Sequence, residues 1–173
     1  KRIQKEFTKT PDLIIKKIKL SLTDTAYVVY LETVSSSDKV NDYILKNLSH
    51  ISSNKNSKIY NTDSILPGPN TVEIKNEDEI EYFITNGFTI IIRKDTILAI
   101  ETKADINRSV SVPEIQKTVY GPKDAFTENI QINLGLLKRR IKSSHLKSSD
   151  LNMGRKTNTK VEILYFDDIT DMD

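Results

Sequence analysis

Two kinds of hydrophobic spacing run along this chain: short, nearly unbroken apolar runs that suit strands, and apolar positions three or four apart that suit helices. Leu13–Leu20 and Ala26–Glu32 read as strands. The run Ala26-Tyr27-Val28-Val29-Tyr30-Leu31 has almost no polar break, which predicts a strand buried on both faces. Thr23-Asp24 supplies the turn between them. Ser35–Asp38 offers capping residues for a helix through about Ser49, with Val40, Ile44, Leu45 and Leu48 as its inward stripe. A second helix is expected from about Asn76 to Asn86, closed by Gly87 in a left-handed cap. Phe88–Arg93 and Thr96–Lys103 predict a tight hairpin turning at Lys94-Asp95. Leu146–Met153 and Lys160–Asp167 predict a last strand pair joined through Gly154–Thr159. Between these elements, residues 1–10 read as a frayed end or short helix, 52–71 as a long Ser-, Asn- and Lys-rich loop around Pro67-Gly68-Pro69, and 104–120 as an irregular crossing segment.

The strongest helical pattern lies from Gly121 to Lys142. Gly121-Pro122 breaks what precedes, and proline is tolerated in a first helical turn because its missing N–H has no partner there. Asp124 and Glu128 near the start, with Lys138, Arg139, Arg140 and Lys142 at the end, complement the helix dipole. Phe126, Ile130, Leu134, Leu137 and Ile141 form one apolar stripe; Ile132 and Leu136 lie off it and predict contact on a second side. Asn129, Gln131 and Asn133 place amides where a neighbouring backbone or a ligand could use them. Arg139 and Arg140 flank the stripe residue Ile141, so one of them is expected to be partly buried beside a carboxylate, with Glu128 and Glu114 as candidates.

These elements predict an α/β (α+β) fold: a mixed β-sheet with packed helices, built from strand-strand-helix units. The final strand pair is similar in character to the first, Ile163–Ile169 echoing Val28–Val34, each after an Asp-Leu strand (Asp12-Leu13, Asp150-Leu151). Either this is a repeat whose second copy is cut short, or two apolar strands are alike by chance. Residues 1–145 are read as a first α/β subdomain, and 146–173 as a strand pair that completes the sheet or opens a truncated second subdomain.

Bulk properties narrow the function. Twenty-six basic residues against 24 acidic give a net charge of +2, too balanced to point to nucleic acid or a membrane surface. There is no cysteine, hence no disulfide or thiolate chemistry. No apolar run approaches the ~20 residues that span a bilayer, and the first residues lack the apolar stretch of a signal peptide. A start without Met and an end in Asp-Met-Asp just after a strand are expected of a piece of a longer protein. The two histidines, His50 and His145, are far apart and have no cysteine nearby, which does not make a metal set. No Gly-x-Ser-x-Gly, His-Glu-x-x-His or Gly-x-Gly-x-x-Gly is present, and no nucleophile–base pair is visible, so the chain reads as non-enzymatic. Gly154-Arg155-Lys156-Thr157 lacks the second glycine and following helix of a phosphate loop and reads as a basic hairpin tip. Lys138 to Lys160 carries eight basic residues against one acid, Asp150; this is either an anion or acidic-partner site, or simply a helix C-terminus followed by a solvated hairpin. Glu77-Asp78-Glu79 and Asp167-Asp168 read as solvated acidic clusters.

An ordered set of residues is similar to the spore germinant receptor A-subunit family, of the GerA type. It comprises Arg108-Ser109, Pro113-Glu114, Gly121 through Glu128, Asn133, Leu136, Arg139-Arg140-Ile141, Gly154-Arg155-Lys156-Thr157, Thr159-Lys160-Val161 and Tyr165. The likeness covers roughly Ile80 to Ile169, with the first half matching by pattern. Departures are Val112 where the family usually has an acid, Lys123 and Lys138 where it usually has Arg, and Ala125 where it usually has Gly.

The resemblance implies the N-terminal region of a membrane protein of the spore inner membrane, facing the spore core, with membrane-spanning segments after Asp173. It implies nutrient sensing with B and C partner subunits, self-association in a homo-oligomer, and coupling to an ion channel. It further implies two subdomains flanking a cleft, of which this chain holds the first, and no cofactor or metal. A small-molecule nutrient is the implied ligand; nucleic acid is not a partner. Arg108, Glu114, Glu128, Asn129, Asn133, Arg139, Arg140 and Arg155 are the candidate ligand or interface residues. A purely structural assembly module is the alternative.

Overall fold

The computed structural model describes residues 2–53, 70–94, 96–105 and 126–171. Most of the expected 52–71 loop, the crossing segment after Asp105 and the start of the Gly121 helix therefore lie outside the described residues.

Strands β1 (Leu13–Lys19), β2 (Thr25–Leu31), β3 (Thr71–Glu73), β4 (Phe88–Arg93) and β5 (Thr96–Glu101) form one sheet in the order β1-β2-β4-β5-β3. Every pairing in it is antiparallel. Side chains alternate across a sheet, so neighbours on β2 enter opposite cores: Ala26, Val28 and Tyr30 one, Val29 and Leu31 the other. On β4, Ile91 joins the first core and Ile90 the second; on β5, Leu98 and Ile100 join the first and Ala99 the second. An antiparallel sheet often leaves one face to water; here helices cover both, and that is why the inner strands β2, β4 and β5 read as nearly unbroken apolar runs.

The first face is covered by α2 (Ser37–Val40), a π-helical segment (Asn41–Leu45) and α3 (Lys46–Ser53), through Val40, Ile44 and Leu48. Ser36 caps α2, its hydroxyl accepting from the Lys39 N–H. The second face is covered by α1 (Arg2–Glu6) and α4 (Glu79–Thr85), through Ile3, Phe7, Ile80 and Ile84. The expected cap at Gly87 is present, at φ +82. Edge strand β1 exposes Lys16, Lys17 and Lys19, charges that discourage a further strand from adding there.

Helix α5 (Ile130–Arg140) and strands β6 (Leu146–Met153) and β7 (Thr159–Phe166) follow. The β6–β7 pair is a separate two-stranded ribbon and does not complete the five-stranded sheet. Its root is buried at Leu146, Lys147 and Ser148, and β6 is exposed from Ser149 onward. The Gly154-Arg155-Lys156-Thr157 tip is a turn, with Gly154 at φ +87 and Asn158 at φ 45.

The helix differs from its expected form at the N-terminal end. It begins at Ile130, and Phe126 is 66% exposed rather than part of a buried stripe. The reason is polar. Asn129 is the N-cap, accepting from Gln131 N and Ile132 N, while Asn133 accepts from the Thr127 N–H and donates to its carbonyl, both at 2.8 Å. These bonds fold residues 127–129 into a cap and leave Phe126 outside the helix.

Candidate functional site

Helical phase decides which cation of the basic run goes inside. Leu134 is buried, and four residues on the inward position belongs to Lys138, which is 6% exposed. Its ammonium meets Asp12 at 2.5 Å, and the other Asp12 oxygen accepts from Thr33 Oγ1. Asp12 immediately precedes β1 and Thr33 follows β2, so this buried pair pins α5 to the end of the sheet. The expectation that one of the two arginines is partly buried holds for Arg139, while Glu114 lies outside the described residues; the fully buried cation is a lysine, and its partner comes from the other end of the chain. Arg139 is half-buried and Arg140 exposed.

The connector from α5 to β6 is held by α4. Lys142 Nζ donates to Asn86 Oδ1 at 2.7 Å, and the Ser144 N–H donates to Glu81 Oε1 at 2.8 Å. Burial pushes the Glu81 carboxyl up, but the Ser144 bonds, with the charges of His145 and Lys147, hold it below its ordinary value. Ile141 and Leu146 line a small cavity together with Phe7, Leu31 and Thr85. The first residues of β6 are held by α1 and the turn after it. The Ser148 N–H donates to the Lys9 carbonyl at 3.2 Å, and Lys147 Nζ to the Glu6 carbonyl at 2.6 Å.

Beside this joint lies an open groove of about 600 Å³ lined by Phe7, Lys9, Thr10, Pro11, Ser148, Ser149, Asp150 and Tyr165. Thr10 Oγ1 and Ser148 Oγ are buried at its wall without a hydrogen-bond partner among the described residues. Lys9, at its rim, holds a left-handed backbone at φ 57. An ammonium and a carboxylate (Lys9, Asp150) beside an aromatic ring (Tyr165) suit a small polar molecule carrying both charges. The groove offers no nucleophile–base pair.

The sequence-derived candidates are not brought together here. Arg108 and Glu114 lie outside the described residues. Glu128, Asn129 and Asn133 sit at the start of α5, with the two amides engaged in the cap. Arg139 and Arg140 are in its last turn, and Arg155 is at the far tip of the ribbon. Nor does the basic run make one positive surface: Lys138 and Lys147 are buried against the body, and Lys160 lies 3.9 Å from both Asp150 and Glu162. Sequence reasoning missed Asp12, Thr10, Ser148 and Lys147. Only Asp12 carried a signal, as an acid just ahead of an apolar strand.

At the ribbon root, His145 Nδ1 lies 2.9 Å from Asp167 Oδ1. Asp168 is close enough that the three side chains place ligand-type atoms within 4.8 Å of one another. The Lys147 ammonium faces the same Asp167 carboxylate at 3.5 Å, and His145, Asp167 and Asp168 are exposed, so we read an ion-pair cluster. No helix among the described residues is long and apolar enough to cross a membrane.

Comparison with known proteins gives this arrangement a context. The family described as Bacillus/Clostridium GerA spore germination protein matches residues 1–173. Spore germination protein KA of Bacillus subtilis (strain 168) is 25% identical over 174 residues, covering 97% of this chain and 32% of that protein. Stage V sporulation protein AF of the same organism is 28% identical over 156 residues, covering 88% and 29%. The chain thus spans about a third of the length of these curated relatives. The crystal structure of the N-terminal domain of the A subunit of the Bacillus megaterium spore germinant receptor GerK3 shares the fold. Its TM-score is 0.70 at 22% identity, and the match covers 99% of this chain and 64% of that one.

Proposed function

The chain belongs to the Bacillus/Clostridium GerA spore germination protein family, and from that premise we propose that it is the N-terminal region of a germinant receptor A subunit. In this reading it works without catalysis in spore germination. A nutrient or a partner subunit shifts the ribbon against the three-layer body, and segments beyond these residues carry that shift to a membrane ion channel. The receptor holds it at the spore inner membrane, facing the spore core, as a homo-oligomer with B and C subunits. Residues 146–173 open a second subdomain, and the groove beside the ribbon is one wall of the cleft between the two. Glu128, Asn129, Asn133, Arg139, Arg140 and Arg155, with Arg108 and Glu114, form contacts toward the rest of the receptor.

The groove carries this reading. Buried hydroxyls without partners are costly, and a shift of the ribbon that uncovers Thr10 and Ser148 would let a bound polar molecule satisfy them where the ribbon meets the body. A ligand preferring one ribbon position would shift the population of the two. NMR titration of a form extended through the following subdomain, with amino acids and sugars, tests it. Shifts at Thr10, Ser148 and Tyr165 are expected; none at millimolar ligand removes direct sensing by this region.

A second reading is favoured by the ribbon's outer face. The register places Leu151, Met153, Val161 and Ile163 on one side of it, and Leu151, Met153 and Ile163 are exposed. A two-stranded ribbon has little stability of its own, so such a face suits assembly. Charge reversal at Arg155 and Lys156 in the full-length receptor is then expected to weaken the oligomer; an unchanged mass in detergent counts against it.

A further inference from the structure

Lys147 is the anomaly at the ribbon root. It is 3% exposed, yet its nearest carboxylate oxygen among the described residues, Asp167 Oδ2, is 3.5 Å away. Its close contact is instead a neutral acceptor, the Glu6 carbonyl at 2.6 Å. A buried ammonium is costly unless well paired, so this cation is divided between two acceptors on different elements: α1, and the turn after β7. His145 meets the other Asp167 carboxylate oxygen at 2.9 Å.

We propose that protonation of His145 governs how firmly the ribbon is tied to α1, by deciding which of these two acceptors the Lys147 ammonium serves. With the imidazole charged, Asp167 is compensated on one oxygen and Lys147 stays on the Glu6 carbonyl. With the imidazole neutral, Lys147 is the cation left to Asp167, and closing the 3.5 Å gap to a full hydrogen bond draws it off α1. The charged groups facing the imidazole are Asp167 and Asp168 in the turn after β7, Lys147 on β6 and Glu81 on α4. Nearby, Lys142 is engaged by Asn86, and the Glu6 carboxylate on α1 by Arg2.

The sign follows from these partners. The Asp167 hydrogen bond, then the Asp168, Asp167 and Glu81 charges, outweigh desolvation and raise the His145 value. Its contribution is therefore complete below the ordinary imidazole value of about 6.5 and is lost as pH rises through the raised folded value. The Asp167 value is lowered, first by the His145 hydrogen bond, so its contribution stands above the ordinary carboxylate value of about 3.9 and is lost as pH falls through the depressed one. The tie is tightest between these limits and slackens on the alkaline side.

Amide hydrogen exchange on the 173-residue chain tests it, at about pH 5.5 and about pH 8.5, on either side of the imidazole range. The Ser148 amide, bonded to the Lys9 carbonyl, and the Phe7 amide, bonded to the Ile3 carbonyl, report on the two sides of the joint. Rates are corrected for intrinsic exchange and referenced to Val28 in the core. Protection at Ser148 and Phe7 is expected to fall by about two- to fivefold at the higher pH, the range that exposed ion pairs give. His145→Gln should abolish the difference, and His50→Gln, on α3, should leave it intact. Asp167→Asn removes the competing negative charge, leaving only a neutral amide oxygen there, and should abolish the difference between the two pH values. Equal protection in the unaltered chain, or a difference that survives His145→Gln or Asp167→Asn, overturns the proposal.

Discussion

At Gly87 the backbone and its surroundings impose the same requirement. The residue sits at φ +82, and a Cβ built there would lie 2.9 Å from the Val34 carbonyl oxygen and 3.0 Å from Lys103 Cγ. An L side chain in that conformation costs roughly 1–2 kcal/mol, and the approach to a backbone oxygen adds to it. Gly87→Ala is therefore expected to destabilise by about 2 kcal/mol or more, read as a lower urea midpoint with an unchanged slope. A loss near zero would mean that the α4–β4 turn relaxes freely. The capping amides show the limit of residue-level reading. Asn129 and Asn133 look the same on paper whether they meet a ligand or their own backbone, and here both close the start of α5.

At the scale of elements, α5 depends on one charge pair. Asp12 and Lys138 are both about nine-tenths buried or more, and each is the other's compensation. Removing one partner strands the other, so Lys138→Met is expected to cost about 3 kcal/mol. Replacing both, Asp12→Leu with Lys138→Met, should recover much of that loss, because an apolar pair of similar volume is often no worse than a buried ion pair. A double-mutant cycle in urea unfolding reads the coupling; strictly additive losses would show that the two side chains act independently. The pair was hidden in the sequence because its members lie at opposite ends of the chain. The stripe drawn through Leu137 and Ile141 also placed the helix about one residue out of phase, leaving Lys138 with the surface cations.

Across the molecule, stability should be graded. β2 and β4 lie inside the sheet with apolar residues in both cores, whereas the ribbon beyond Ser149 is exposed on both strands for most of its length. Hydrogen exchange should find the slowest amides at Val28, Val29, Ile90 and Ile91, and the fastest ladder amides near Met153 and Thr159. Uniform protection through the ribbon would show that it unfolds only with the whole molecule. The same gradient accounts for how a small force at the joint could move the ribbon without disturbing the sheet.

The sequence by itself determined strands β1, β2, β4 and β5 of the sheet (but missed the short edge strand β3, whose Thr71 reads as part of a loop), the helix over Val40, Ile44 and Leu48, the Gly87 cap and the terminal ribbon. Each rests on local periodicity or on a backbone conformation that one residue type favours, and these need no knowledge of distant partners. The tertiary structure alone decided that the sheet is antiparallel with helices on both faces. It also decided that α5 starts at Ile130, that Lys138 finds Asp12, and that Thr10, Ser148 and Lys147 meet at one joint. Those outcomes depend on which segments pack together, and pairing between residues more than a hundred positions apart leaves no periodic trace in the chain.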